Sequence, residues 1–266
     1  MKPNSPQAGY TIIEVMIFLV VSAFILISAL VMMDGRQAQI QHEQAVRDFD
    51  AQIRAAIADV STGYFPNRAF GCENVSGPSL SITGSTEEQG TKEDCVFAGK
   101  AIQKKSSENT LQVVSMAAAR SDIGSAFSIG DPETKLTPLN TGAIDLTEET
   151  PTAWGMHISG IADEAGNDIS YIAFLSGFGQ LSAGGVLEAG TQPISLYVGG
   201  AAQSIGAGSM NGGVPQKISS TNAVYFCLES ADRSKKAVII VGKDGRQLST
   251  TIDQDAEGEY VQQCGF

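Results

Sequence analysis

From Tyr10 to Met33 the only charged side chain is Glu14, and the run Val15 to Met33 is apolar apart from two serines. At about 1.5 Å per residue, a helix of this length spans a bilayer core of roughly 30 Å. In lipid such a segment has to be helical, because a helix satisfies all its backbone groups internally. A carboxylate in hydrocarbon costs about 2.5 to 3.5 kcal/mol on the most lenient scale, so Glu14 calls for a partner.

The residues before the run give that carboxylate a context. Only nine precede Tyr10, with Lys2 as the sole basic side chain and with Pro3 and Pro6 keeping this stretch out of the helix. A secretory signal carries its apolar region before the cut; here the apolar region follows Gly9. The pattern Gly9-Tyr10-Thr11-Ile12-Ile13-Glu14, ahead of a long apolar run, resembles the type IV prepilins and pseudopilins. The resemblance implies cleavage after Gly9 by the prepilin peptidase, methylation of the new terminus at Tyr10, and Glu14 as the acidic fifth residue of the mature chain. Tyr10 stands where phenylalanine is more usual in that family.

Cleavage would leave an ammonium on Tyr10, and the Glu14 carboxylate of one subunit could pair with that group on a neighbour, setting register where charge attraction is strong. The implied partners are other pilin subunits in a helical filament, the prepilin peptidase, the inner-membrane platform protein and its assembly ATPase. The implied role is that of a major or minor type IV pilin, serving adhesion, motility or DNA uptake. A pseudopilin of a type II secretion system would share every one of these residues. A third reading, a signal-anchored extracytoplasmic binding protein or enzyme that never polymerises, leaves Gly9 uncut and Glu14 dispensable. The expected location is a single-pass inner-membrane precursor with its carboxyl-terminal domain outside the cytoplasm, then a periplasmic or extracellular filament.

The precursor has 266 residues and a formal net charge of -12. Loss of Lys2 with a 1–9 leader would make it -13, and such a surface lacks the cations that direct, nonspecific nucleic-acid binding requires. Cys72, Cys95, Cys227 and Cys264 form no C-x-x-C. Local pairing, Cys72 with Cys95 and Cys227 with Cys264, is expected in an oxidising compartment, although four cysteines allow three connectivities. The two histidines, His42 and His157, lie beside no acid and nucleophile at a recognisable catalytic spacing, so the expected role is not enzymatic and needs no cofactor.

The expected fold is α+β: a long amino-terminal helix packed on an antiparallel β-sheet domain with disulfides. Residues 10–33 form the membrane or filament-core part of the helix, and 34–63 continue it amphipathically, with Val46, Phe49, Ile53, Ile57 and Val60 at spacings of three and four. Gly63 and Pro66 stop it, and no proline interrupts it earlier. Residues 64–266 form a β-rich domain. Its first part, 64–109, reads as loop-rich, with turn formers from Gly71 to Gly99. Strands are predicted at 111–116, 158–161, 171–175, 194–198, 223–228, 237–241 and 247–252, the last three as a meander turning at Gly242-Lys243-Asp244-Gly245. Residues 177–213 hold eleven glycines and read as exposed loops. Asp253, Asp255, Glu257 and Glu259 have the spacing of half a calcium loop, but position twelve is Cys264 and no helix precedes it. The expectation is therefore a solvated acidic turn, with calcium as the weaker alternative.

Overall fold

The computed structural model describes residues 11–62, 70–73, 81–84, 95–105, 109–119, 136–142, 144–176, 194–211, 216–217, 222–244, 247–254 and 260–265. They divide into two compact units, one up to Gln44 and one from Ala45 onward. Helix α1 (Ile12–Thr62) runs through that division, starting two residues after Tyr10 and ending just before Gly63.

In the second unit α1 buries Ala45, Val46, Phe49, Ile53, Ala56 and Val60 along one face. Four of these are the predicted stripe; Ile57 lies at its margin, partly buried against the same core. Alanines at 45 and 56 extend the stripe by letting the sheets approach the helix closely.

After the helix come β1 (Phe70–Glu73) and β2 (Ser81–Gly84), which among the described residues pair only with each other. Then follow β3 (Cys95–Lys105), β4 (Thr110–Ala119), β5 (Leu136–Pro138) and β6 (Thr147–Pro151). β7 (His157–Asp163), β8 (Ile169–Ser176), β9 (Ile194–Gly200), β10 (Ser204–Gly206), β11 (Ser209–Asn211) and β12 (Gln216–Lys217) succeed them. The chain closes with β13 (Val224–Glu229), β14 (Lys236–Asp244), β15 (Gln247–Asp253) and a one-turn helix, α2 (Val261–Cys264).

The larger sheet has the order β12-β9-β8-β3-β4-β5, with β6 sharing the outer edge of β4 beside β5. The smaller has the order β15-β14-β13-β7. All described pairings are antiparallel. β7 thus leaves the large sheet's run of the chain to edge the small sheet, and β8 returns.

The main core joins the α1 stripe to Ile102, Leu111, Ile172, Phe174 and Leu196 of the large sheet and to Phe226, Leu228, Ile239 and Val241 of the small one. Phe49 meets Phe226 edge to face, ring centres 5.5 Å apart, a favoured aromatic geometry. The other face of the large sheet buries Ala101, Met116, Tyr171, Leu175 and Tyr197 under Ile205 of β10. Side chains alternate across a strand, so Tyr171 to Leu175 is continuously apolar because both faces of β8 are covered.

Three expectations change. The stretch 64–109 is not mainly loop: it contains β3, an eleven-residue central strand. Gly99 follows a bulge at Ala98 in that strand rather than forming a turn, its φ is 154°, and a Cβ there would stand 2.0 Å from the Phe174 carbonyl oxygen. The last hairpin turns later than predicted. Gly242, Lys243 and Asp244 pair with Ser249, Leu248 and Gln247, leaving only 245–246 for the reversal, which lies outside the described residues. The glycine-rich region is not all loop either, since β9, β10 and β11 fall within it; residues 177–193 lie outside the described set. Gly199 is needed because the Tyr171 ring lies against it, with Cε1 2.0 Å from where a Cβ would be. The remaining predicted strands all form, most of them longer at one or both ends than the pattern indicated.

Candidate functional site

The first unit offers one surface of consequence. Ile12 to Leu30 is long and apolar enough to cross a membrane, and none of its nineteen residues is buried. Phe18 is 70% exposed and Phe24 73%. An apolar area this extensive is unusual for a water-facing surface and fits a membrane anchor or a signal sequence. Ser28 is compatible with that setting, since its hydroxyl donates to the Phe24 carbonyl oxygen at 2.9 Å.

Thr11 begins the helix. Its Oγ1 accepts from the Glu14 backbone N–H at 3.3 Å, and its carbonyl oxygen accepts from the N–H groups of Glu14 and Val15 at 3.1 and 3.2 Å. The bonds from Glu14 engage an orphan donor of the first turn, and that from Val15 is the first regular helical bond. Glu14 is the acidic residue of that turn, where the positive end of the helix dipole favours a carboxylate. The Thr-x-x-Glu spacing is that of a capping box, a signal present in the sequence for where the helix starts. Gly9 and Tyr10 lie outside the described residues.

The second unit is fastened at two places. On β3, Lys100 is almost wholly buried, and its ammonium lies 2.7 Å from the Asp59 carboxylate on α1 and 3.2 Å from Glu148 on β6. Burial alone would pull this lysine down, but the hydrogen bonds and charges of Asp59 and Glu148 outweigh it and hold Lys100 above its ordinary value. At the other edge, Arg54 of α1 pairs with buried Asp50 at 2.6 Å and donates to the Thr250 carbonyl oxygen of β15 at 3.2 Å. The helix is therefore tied to both sheets by charge as well as by its apolar stripe.

At the carboxyl end Cys227 is bonded to Cys264, with Cα atoms 5.5 Å apart, as local pairing predicted. The bond carries α2 onto the outer face of the small sheet, beside Val238, Tyr225, Ile240 and Tyr260. Gly166, with φ 81°, completes the fit: a Cβ there would be 2.3 Å from the Gln262 carbonyl oxygen. Cys72 and Cys95 belong to β1 and β3, but their side chains lie outside the described residues.

Of the acidic run, Asp253 ends β15 and accepts from the Tyr260 hydroxyl at 3.2 Å. Asp255, Glu257 and Glu259 lie outside the described residues. Among the described residues no three His, Cys, Asp or Glu side chains are grouped to hold a metal ion. His157 opens β7 and approaches the Asn109 amide through Nδ1, while His42 lies on α1.

Taken together, the chain has an apolar, exposed helical segment that could serve as a membrane anchor, continued by a predominantly β unit with a carboxyl-terminal disulfide. No family model, curated protein or solved structure matches it.

Proposed function

We propose that this protein is a pilin-like structural subunit, made as a membrane precursor and assembled through its amino-terminal helix into a type IV pilus. The observation that carries the reading is the segment Ile12–Leu30, apolar and exposed throughout, with Glu14 as the sole charge in its first turn. Before assembly lipid would cover that surface. In a filament, equivalent helices of neighbouring subunits would cover it instead, by packing and by satisfying the few polar groups it carries.

In this reading Gly9 directs processing, Tyr10 becomes the methylated terminus, Thr11 caps the helix and Glu14 sets subunit register against a neighbour's terminus. The platform protein and its ATPase would supply the extraction step. The β unit would then decorate the outside of the filament, and its Cys227–Cys264 bond suits an oxidising compartment. The role is architectural rather than catalytic.

The test is intact-mass and amino-terminal analysis of the membrane-extracted chain, wild type against Gly9→Val and Glu14→Ala, together with recovery of sheared filaments. A mature chain beginning at methylated Tyr10 is expected, with processing lost in the glycine variant and filament incorporation lost in the glutamate variant. A wild-type chain still beginning at Met1 or Lys2 would overturn the proposal.

A further inference from the structure

The second unit contains a cleft of about 620 Å³ at the seam between its two sheets, lined by the ends of β3 and β4, the edge of β7, the start of β8 and the β9–β10 connection. Its volume is in the range of small-ligand sites, roughly 300 to 1,000 Å³, but its walls differ from the apolar walls usual in such sites. Among the described residues, the side chains lining it include three glutamines, three serines, two lysines and one aspartate, and no aromatic ring.

We propose that this cleft binds an acidic oligosaccharide, a chain of hydroxyl-rich sugar rings bearing carboxylates. Amide and hydroxyl side chains offer donors and acceptors together, which is what a polyhydroxylated ligand needs on each of its oxygens. Several of these groups are already held in place. Gln103 donates to the Gln112 Oε1 and, at 3.4 Å, accepts from the Ile205 N–H. The Ser170 hydroxyl donates to the Gly200 carbonyl oxygen at 3.0 Å.

Charge selects the acidic member of the class. Lys105 is matched by Glu149 at 3.1 Å. Lys104 instead donates to the Ile158 carbonyl oxygen, a neutral partner, and among the described residues it makes no ion pair. Asp168 lines the same cleft but among the described residues makes no ion pair with Lys104, so a ligand carboxylate would meet attraction at Lys104 itself, on a protein whose net charge is -12.

Two other hydrophilic ligand classes fit less well. An extended peptide would have to add to the edge of β7 away from β13. There Ala162 already bridges Asp168, and the Ile158 carbonyl is taken by Lys104. Single-stranded nucleic acid would need rings on which bases stack, and among the described residues the lining provides none. The proposal does not depend on filament assembly.

The test uses the full chain in a zwitterionic detergent, titrated calorimetrically with trigalacturonic acid and, separately, with neutral maltotriose. Saturable binding of the acidic trisaccharide is expected, weaker at high salt and weaker for maltotriose. Lys104→Gln should reduce the affinity at least about tenfold, the scale of one charge-assisted hydrogen bond. Ala201→Trp, on an exposed turn at the rim, should abolish binding by filling the cleft while the thermal unfolding curve stays that of wild type. Absence of saturable binding, equal or tighter binding of maltotriose, or binding that survives Ala201→Trp would each overturn the proposal.

Discussion

Lys100 on β3 lies 2.7 Å from Asp59 on α1, so the last turn of the long helix is ionically pinned to the centre of the large sheet. The three charges are unequally exposed: the side chain of Lys100 is 4% accessible, Asp59 31% and Glu148 62%. That inequality fixes which partner the fold can lose.

Removing Asp59 as Asn leaves a buried ammonium with only a solvated partner, and we expect a loss of about 2 to 4 kcal/mol. Glu148→Gln should cost about 0 to 1 kcal/mol, as exposed pairs do. Lys100→Met leaves two carboxylates that water can reach and should cost less than Asp59→Asn. Denaturant unfolding of the three variants in detergent checks the order; equal costs for Asp59→Asn and Glu148→Gln would refute it.

The same cluster gives an alkaline pH dependence. Lys100 is raised in the folded state above its ordinary 10.5, so its stabilising contribution is complete below that value and fades as pH rises through the higher folded value. The stability of wild type relative to Lys100→Met should be flat between about pH 7 and pH 9 and fall above roughly pH 10.5. A difference that stays flat at high pH would show that the lysine is not held by its carboxylates.

Tyr171 and Gly199 form a coupled pair across β8 and β9. Gly199→Ala would drive a Cβ into a fully buried ring, and about 2 to 4 kcal/mol of stability should be lost. The Tyr171 hydroxyl is buried without a hydrogen-bond partner among the described residues, and burial pushes its pKa upward. Tyr171→Phe should therefore be neutral or stabilising by up to about 1 to 2 kcal/mol. A clear loss in that variant, measured by chemical denaturation, would reveal a partner for the hydroxyl.

Breaking the Cys227–Cys264 bond should release the carboxyl-terminal turn. The two positions are 37 apart in sequence, and a closed loop of that order stabilises by about 2 to 4 kcal/mol. The double Cys→Ser variant should lose that amount and exchange its amide hydrogens at 261–264 much faster, while β3 and β8 stay protected. Unchanged protection at 261–264 would mean that the Gly166–Gln262 fit and Tyr260 hold α2 unaided.

Much of this architecture is legible in the residues. The stripe Val46, Phe49, Ile53 and Val60 is a helical repeat with one destination, and it is buried. The β13–β14–β15 meander follows from β-branched runs separated by turn residues, and the local cysteine pair 227–264 forms. What escaped the pattern did so for identifiable reasons. β3 carries Gly99 and Lys100 in its middle, residues that read as turn and surface. They become a strand residue beside a bulge and a buried cation only because Phe174 closes over one and Asp59 and Glu148 neutralise the other.

The sequence by itself determined the helix, its apolar first half, its capped start at Thr11 and Glu14, and the alternation that commits the rest to strands. These depend on near neighbours along the chain, where periodicity and capping act. Only the tertiary structure decided that β7 would cross to the smaller sheet, that Gly199 would yield to Tyr171, and that polar residues far apart in sequence would meet in one cleft. Those outcomes are set by contacts between distant segments, whose steric fit and charge compensation no local pattern encodes.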